Sequence, residues 1–587
     1  MSESVNKILK IVIIAEAALI AVCLTLTIVF SAVRANAPTT ATASASASVE
    51  TASVSDSQSQ DQSANDSAND SAGDSAAEPE TFTYNNEYVY TVDENGNCCI
   101  VKYLGNGKEV SVPEKIENKT VVTIGDNAFK ENKSIEKLTL PEGLTTIGDH
   151  AFDCCEKLKT INHSNAITSI GDFAFMNCVS LTGISIPLEL TSIGAGAFSG
   201  CGGITDISLI SKVTSIGAGA FMGCSGLKTI NLSPNVMVIE DNLFKDCVAL
   251  TGVSNFFATS IGKYAFSGCT SINNINTYYV ENIGDYAFEN CDSLTQISIS
   301  LLTSIGEGVF KGSGVKEVSL SDKVTSIGVS AFSGCKNLEK ITFSTNITSI
   351  GDEAFKNCIA LTEAPLYGKV TSIGDGAFKN CTSLSEMDIP ENAESIGEYC
   401  FFGSGIKKLT IRSSLKEISG YAFGSCRYLE EVSFFNSHLT AIDNHAFEGC
   451  NKLKSITIPN SVTGIGAYAF SKCNQLETVH LGSGIITIGA YAFSECFNLE
   501  EINIPDSVTC IDSLAFSFCS CLSTLTLGSG LKNIDIGAFY YCDHLSSVTF
   551  KNTVGWSVNG NAVDVSDAAQ NAQLLKNSND FWSRAEE

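Results

Sequence analysis

The chain has 587 residues, a net charge of −28, and is 44% hydrophobic against 17% charged. That is enough apolar surface for a continuous core, so a wholly disordered chain is excluded, and the acid excess argues against nucleic acid and against docking on an anionic membrane surface. The length alone would suggest several domains, but that prior fails where a sequence repeats itself.

Lys7 and Lys10 precede an apolar run from Ile11 to Val33, broken by Glu16. As a helix rising about 1.5 Å per residue, residues 11–33 would span a hydrocarbon core of about 30 Å. A secretory signal competes, with Ala35-Asn36-Ala37 as a small-x-small cleavage site, although Pro38 hinders cutting there. The length favours an uncleaved membrane anchor within residues 1–35, and both readings export the rest. Two lysines before the run against Arg34 after it place the N-terminus in the cytoplasm. Glu16, in the first turns, is placed to snorkel to the interface.

Residues 36–80 are almost entirely Ser, Ala, Thr, Asp, Glu, Gln and Asn. Without bulky apolar groups this stretch cannot offset its ordering entropy, and it reads as a disordered stalk.

From Phe129 onward one unit recurs, Ile-Gly-x-x-Ala-Phe-x-x-Cys-x-x-Leu-x-x-Ile-x-Ile-Pro-x-x-Val-Thr-x, with nineteen key phenylalanines from Phe129 to Phe539. Their spacing of 22 to 24 residues lies inside the range of leucine-rich repeats. Leu453 to Ile458 ends in period two and reads as a short strand; Val462 to Ile465 reads as a second extended piece on the opposite wall. Glycine follows the second Ile in fourteen of nineteen units, which suits a turn with positive φ. Phe, Cys and Leu at i, i+3 and i+6 suggest one face of a short helical turn. The expected fold is an α/β repeat solenoid, right-handed and of leucine-rich-repeat type, with about 19 coils, short strands and short helical turns. Each coil carries an inward set of Leu, Ile, Val, Ala, Phe and Cys that it cannot bury alone.

This unit closely resembles the BspA-like (Treponema pallidum-type) leucine-rich repeats, over about residues 82–587. The resemblance implies an extracellular adhesion or partner-binding role at a cell surface, without naming the ligand. It also implies a β-rich N-terminal cap over 81–122, a solenoid over 123–550, and a closing cap over 551–587 with a strand and a short helix around Trp556 and Trp582.

Sixteen cysteines occupy the third position after a phenylalanine: Cys155, Cys178, Cys201, Cys224, Cys247, Cys269, Cys291, Cys335, Cys358, Cys381, Cys426, Cys450, Cys473, Cys496, Cys519 and Cys542. Export makes disulfides plausible. Against pairing, neighbouring coils sit about 4.8 Å apart whereas disulfide Cβ atoms sit about 3.8 Å apart. Where the turn shortens to Gly312-Ser313-Gly314 and Gly403-Ser404-Gly405, the cysteine disappears. The ladder therefore reads as small buried hydrophobes. Cys98, Cys99, Cys154, Cys400, Cys510 and Cys521 fall off the pattern and leave room for one real pair.

No nucleophile motif, phosphate loop, paired-carboxylate signature or metal-ligand spacing stands out, so neither catalysis nor a cofactor is expected. One outward side chain per strand is Ser, Thr or Asn in sixteen of nineteen units, the exceptions being Pro365, Asp388 and His480. This polar face suits hydroxyl ladders, or a glycan or extended polypeptide. Three consecutive units lose a residue just after the strand and carry Phe256-Phe257, Tyr278-Tyr279 and Ser300-Leu301 at the tight turn. Those aromatics, with Leu301, are the candidate ligand-binding patch; packing of a local bend is the competing account. The function expected is an adhesin-like surface protein recognising host or neighbouring-cell proteins, matrix proteins or glycans. The alternative is a structural assembly protein without a specific ligand.

Overall fold

The computed structural model describes residues 80–412, 414–435, 438–576 and 580–585. The expected anchor at 11–33 and stalk at 36–80 lie outside the described residues, except for Glu80. Among the described residues no helix is long and apolar enough to cross a membrane.

The spacing of the phenylalanines determines the architecture. Each ring is buried to 2% exposure or less, and each stacks on the ring one coil away. The centroids are 5.0 Å apart for Phe129 and Phe152, 5.9 Å for Phe221 and Phe244, and 5.2 Å for Phe516 and Phe539. One core runs the length of the repeats, so each coil's apolar set is covered by its neighbours.

Around that stack run two walls of parallel strands. The Val-Thr-x-Ile wall pairs in strict register, Ser169 to Ser192 and Ile170 to Ile193, then Ser192 to Ser215 and Ile193 to Ile216. Threonines one residue before these strands add rungs: Thr168 Oγ1 donates to Thr145 O at 3.2 Å and Thr191 Oγ1 to Thr168 O at 3.0 Å. The Leu-x-x-Ile-x-Ile wall pairs likewise, as Thr229–Asn231 with Gly252–Ser254. Where three units lose a residue this wall is interrupted, and Gly252 reaches the next coil only through an isolated bridge to Asn274.

The third side corrects the expectation of short helical turns. Asn127 and Glu131 stand at φ of 58° and 59°, and His150 and Cys154 at 54° and 59°. A left-handed residue every fourth position stops an α-helix from forming. Amides instead alternate: Ala128 N donates back to Gly125 O and Lys130 N to Asn127 O, while Asn127, Phe129 and Glu131 donate to Asp149, Ala151 and Asp153 of the next coil. The segment is a third ladder of stacked turns, and the solenoid is a β-solenoid. The helix Ala568–Lys576 lies beyond the repeats.

The recurring glycine has a different reason from the one expected. It does not need positive φ; it has no room for a side chain. A Cβ on Gly171 would sit 2.6 Å from Gly148 C and 2.5 Å from Asp149 Oδ1 of the preceding coil. The positive φ falls two residues later, on a residue that varies from coil to coil, such as Asn127, His150, Gly196, Ser330, Glu353 or Tyr399.

At the N-terminal end Phe82–Tyr84, Tyr88–Val92 and Cys98–Tyr103 pair antiparallel, and the last of these joins Lys119–Ile124 of the Ile wall in parallel. Tyr103 begins the ring stack, 4.9 Å from Phe129. At the other end Trp582–Arg584 pairs antiparallel with both Asn533–Ile534 and Trp556–Val558. Buried Asn571 donates to Val548 O at 3.1 Å and Val565 O at 2.9 Å, tying the helix to the last coil.

Gly171→Ala should lower the urea midpoint by an amount corresponding to about 1–3 kcal/mol, because the added methyl meets backbone that cannot move independently. Gly183→Ala, where a Cβ meets nothing within 4 Å, should leave the midpoint nearly unchanged. Equal effects would show that coil contact is not what excludes a side chain at Gly171.

Candidate functional site

The sixteen ladder cysteines are all in the core, and the 22 described cysteines are unpaired. Each thiol has a specific partner. Cys155 Sγ donates to Phe129 O at 3.1 Å, Cys201 to Phe175 O at 3.1 Å and Cys381 to Phe355 O at 3.1 Å. The same carbonyl also accepts the amide three residues on, as Phe129 O does from Asn132 N. The position therefore suits a small side chain carrying a donor. This explains the shortened turns: Ser313 and Ser404 are themselves the third residue after Phe310 and Phe401, buried to 2%, with hydroxyls 3.5 and 3.3 Å from Cys335 and Cys426 Sγ. The cysteine does not vanish with the turn; an oxygen analogue replaces it.

Burial pushes fourteen of these thiols upward, to about 12 for Cys155, Cys224, Cys335 and Cys426. Among the described residues no group of His, Cys, Asp or Glu is arranged to hold a metal ion.

The aromatic patch expected at the lost-residue turns is rearranged. Phe256 is 3% exposed and packs 6.3 Å from the Phe266 ring, so it belongs to the core and not to the surface. The lost residue alone does not bury it, since Tyr278 at the same offset one coil on is exposed; Asn255, just before Phe256, stands at φ of 55° and turns the chain there. Phe257, Tyr278 and Tyr279 are exposed at 42%, 62% and 47%. Phe257 and Tyr279 lie 6.2 Å apart across two coils, and Tyr278 meets Tyr279 edge-on at 5.0 Å. Leu301 is half-buried on the next coil.

A second aromatic surface escaped the sequence reading. Tyr399, Tyr421, His445, Tyr468 and Tyr491 stack in one row with centroids 4.6, 4.3, 4.7 and 4.6 Å apart and planes within 7°. All are half-buried and all sit two residues before a ladder phenylalanine, at positive φ. Burial pushes the Tyr421 hydroxyl up to about 12. The signal was legible as a Tyr or His at one fixed offset in five consecutive units. His445 is tied to Glu448 at 2.8 Å, which also meets Lys472 at 3.1 Å.

A comparison with protein families matches the BspA type leucine rich repeat region over residues 122–251, 255–362, 348–473 and 440–556, more than half of the chain. A T. pallidum leucine rich repeat protein of known structure is 31% identical over 36% of this chain and 90% of its own, with a TM-score of 0.31. A leucine-rich repeat protein from Bacteroides ovatus is 26% identical over 73% of this chain and 95% of its own, with a TM-score of 0.41. A leucine rich cell surface protein from Faecalibacterium prausnitzii is 21% identical over 82% and 97%, with a TM-score of 0.28. Comparison with curated protein sequences finds no match.

The thiols generate a pH dependence with a definite sign. Below their ordinary value of 9.0 they are protonated whether the chain is folded or not, and stability is full. Above it the unfolded chain ionises while the folded one does not, so stability should fall from about pH 9 towards pH 12. Equilibrium unfolding across pH 7–11 checks this. Alkylation of the native protein at pH 8 should leave the ladder unmodified, and denaturation without reductant should then expose free thiols. Fourteen or more ladder cysteines found in disulfides would overturn the small-hydrophobe account.

Proposed function

The chain belongs to the BspA-type leucine-rich repeat family, and on that footing we propose that it is a non-enzymatic, adhesin-like binding protein displayed at a cell surface. Residues 11–33 serve as its anchor or export signal and 36–80 as a spacer. Its partners are surface proteins, matrix proteins or glycans of a host or neighbouring cell.

The observation that carries this reading is the contiguous exposed area of Phe257, Tyr278 and Tyr279 on successive coils. Tyr278 is 62% exposed beside two other large rings, and contiguous apolar area of this kind marks surfaces that exclude water on binding. The mounting is stiff, with Tyr278 N donating to Asn276 Oδ1 at 3.1 Å and Thr277 buried beneath. A rigid aromatic loses little entropy on contact, which is why tyrosine is frequent among residues dominating interface energies. The net charge of −28 disfavours self-association as the patch's purpose.

Replacing Tyr278 and Tyr279 together by Ala should weaken adhesion to immobilised matrix proteins or glycans about thirtyfold, equivalent to about 2 kcal/mol, with almost no change in melting temperature. Unchanged binding accompanied by a large loss of stability would assign the rings to packing the interrupted wall, and the reading would be withdrawn.

A further inference from the structure

The two Gly-Ser-Gly turns do more than swap sulfur for oxygen. From ladder phenylalanine to the following Leu or Ile is six residues in an ordinary coil, but Phe310 to Val315 and Phe401 to Ile406 are five. The missing residue leaves a surface cleft at each place, of about 500 Å³ beside Ser313 and about 390 Å³ beside Ser404. Both volumes lie in the range that takes a small ligand.

The clefts are built alike, four coils apart. In each, an asparagine of the preceding coil at positive φ, Asn290 or Asn380, lays its carboxamide oxygen against the first glycine, at 2.4 or 2.7 Å from where a Cβ would be. The second glycine is pressed onto the preceding coil's backbone, a Cβ there lying 1.9 Å from Asp292 O or 2.1 Å from Thr382 O. The following coil supplies a serine, Ser333 or Ser425, and a cation, Lys336 or Arg427.

That cation is the informative residue. It stands four residues after its ladder phenylalanine, a position where only three of the nineteen units carry Lys or Arg. Lys133 is the third and is paired with Glu156 at 2.6 Å. The other two are the coils that follow the Gly-Ser-Gly turns, and among the described residues no carboxylate lies within ion-pair distance of Lys336 or Arg427. At the Ser404 cleft Lys379 lies 5.4 Å over the Phe402 ring, and Lys452, itself paired with Glu430 at 3.9 Å, lies 5.5 Å over Tyr428; both rings line the cleft.

We propose that the two clefts are binding sites for a terminal sugar acid, a saccharide end-group with one carboxylate and several hydroxyls. The carboxylate meets Arg427, whose fork donates two parallel hydrogen bonds to its oxygens. Ring hydroxyls meet the Asn380 oxygen and the Thr382 and Ser425 hydroxyls, and apolar sugar edges lie on Tyr428, which is 51% exposed. A single carboxylate fits a chain of net charge −28, which would repel a polyanion. The Ser404 cleft is the tighter of the two: Asp292 replaces Thr382 at the other, Lys311 there is engaged by Glu289 at 3.2 Å, and no aromatic lines it. The site is separate from the Phe257–Tyr279 surface and stands without it.

The test uses the full chain and ligand-observed saturation-transfer NMR, with sialyllactose as probe and lactose, inorganic sulfate and a tetraglutamate peptide as comparators. Sialyllactose should receive saturation and lactose should not. Arg427→Gln should weaken binding about tenfold and Lys336→Gln less, with unchanged melting temperatures because both side chains are exposed. Tyr278→Ala with Tyr279→Ala should bind sialyllactose normally, so failure of the adhesive patch and failure of this site are told apart. Equal saturation of lactose, displacement by sulfate or tetraglutamate at the same concentration, or indifference to Arg427→Gln would each overturn the proposal.

Discussion

The structure depends on one constraint: every coil must lie at backbone hydrogen-bonding distance from the one before it, along the ladder of turns and over most of both strand walls. Parallel strands set that distance on two walls and the ladder of turns repeats it on the third. At that spacing identical side chains must stack on themselves. A flat ring does so well, which accounts for the phenylalanine column with centroids 5.0–5.9 Å apart. A thiol does so while reaching the carbonyl of the coil before. A glycine does so in fourteen coils, where an added Cβ would strike the coil before. The repeat reads as it does because each position has been fitted to its own copy.

The periodic part was therefore legible from sequence. The phenylalanine column, the inward Leu and Ile residues, the buried cysteine ladder and the two strand walls follow from spacing and polarity alone. The third side was not, because Phe, Cys and Leu at i, i+3 and i+6 fit a helical face and a stacked turn equally well. The deciding feature is the left-handed backbone at Asn127, Glu131 and their equivalents, which no hydrophobic pattern encodes. The glycine was misread for a related reason: a sequence shows that a side chain is forbidden, not whether φ or a neighbour forbids it.

The surface was legible in a different measure. Phe257, Tyr278 and Tyr279 are exposed as expected of residues at a tightened turn, whereas Phe256 lies in the core behind the left-handed Asn255, a backbone feature no polarity pattern encodes. The row from Tyr399 to Tyr491 was overlooked because its residues sit among variable positions, where one unit read alone shows nothing. Regular coils present a repetitive polar exterior, and both surfaces proposed as binding sites lie where the period is broken. One class of break, the residue lost after the strand, exposes rings; the other, the residue lost after the phenylalanine, opens a cleft.

If stability comes from coil-on-coil contact, a defect must be felt by neighbours and not by the whole array. Phe332→Ala removes one ring from the middle of the column, and hydrogen exchange read coil by coil measures how far the loss spreads. Protection should fall in the coils of Phe310, Phe332 and Phe355 and persist in those of Phe152 and Phe516. A uniform loss of protection across all coils, or none at all, would contradict the account.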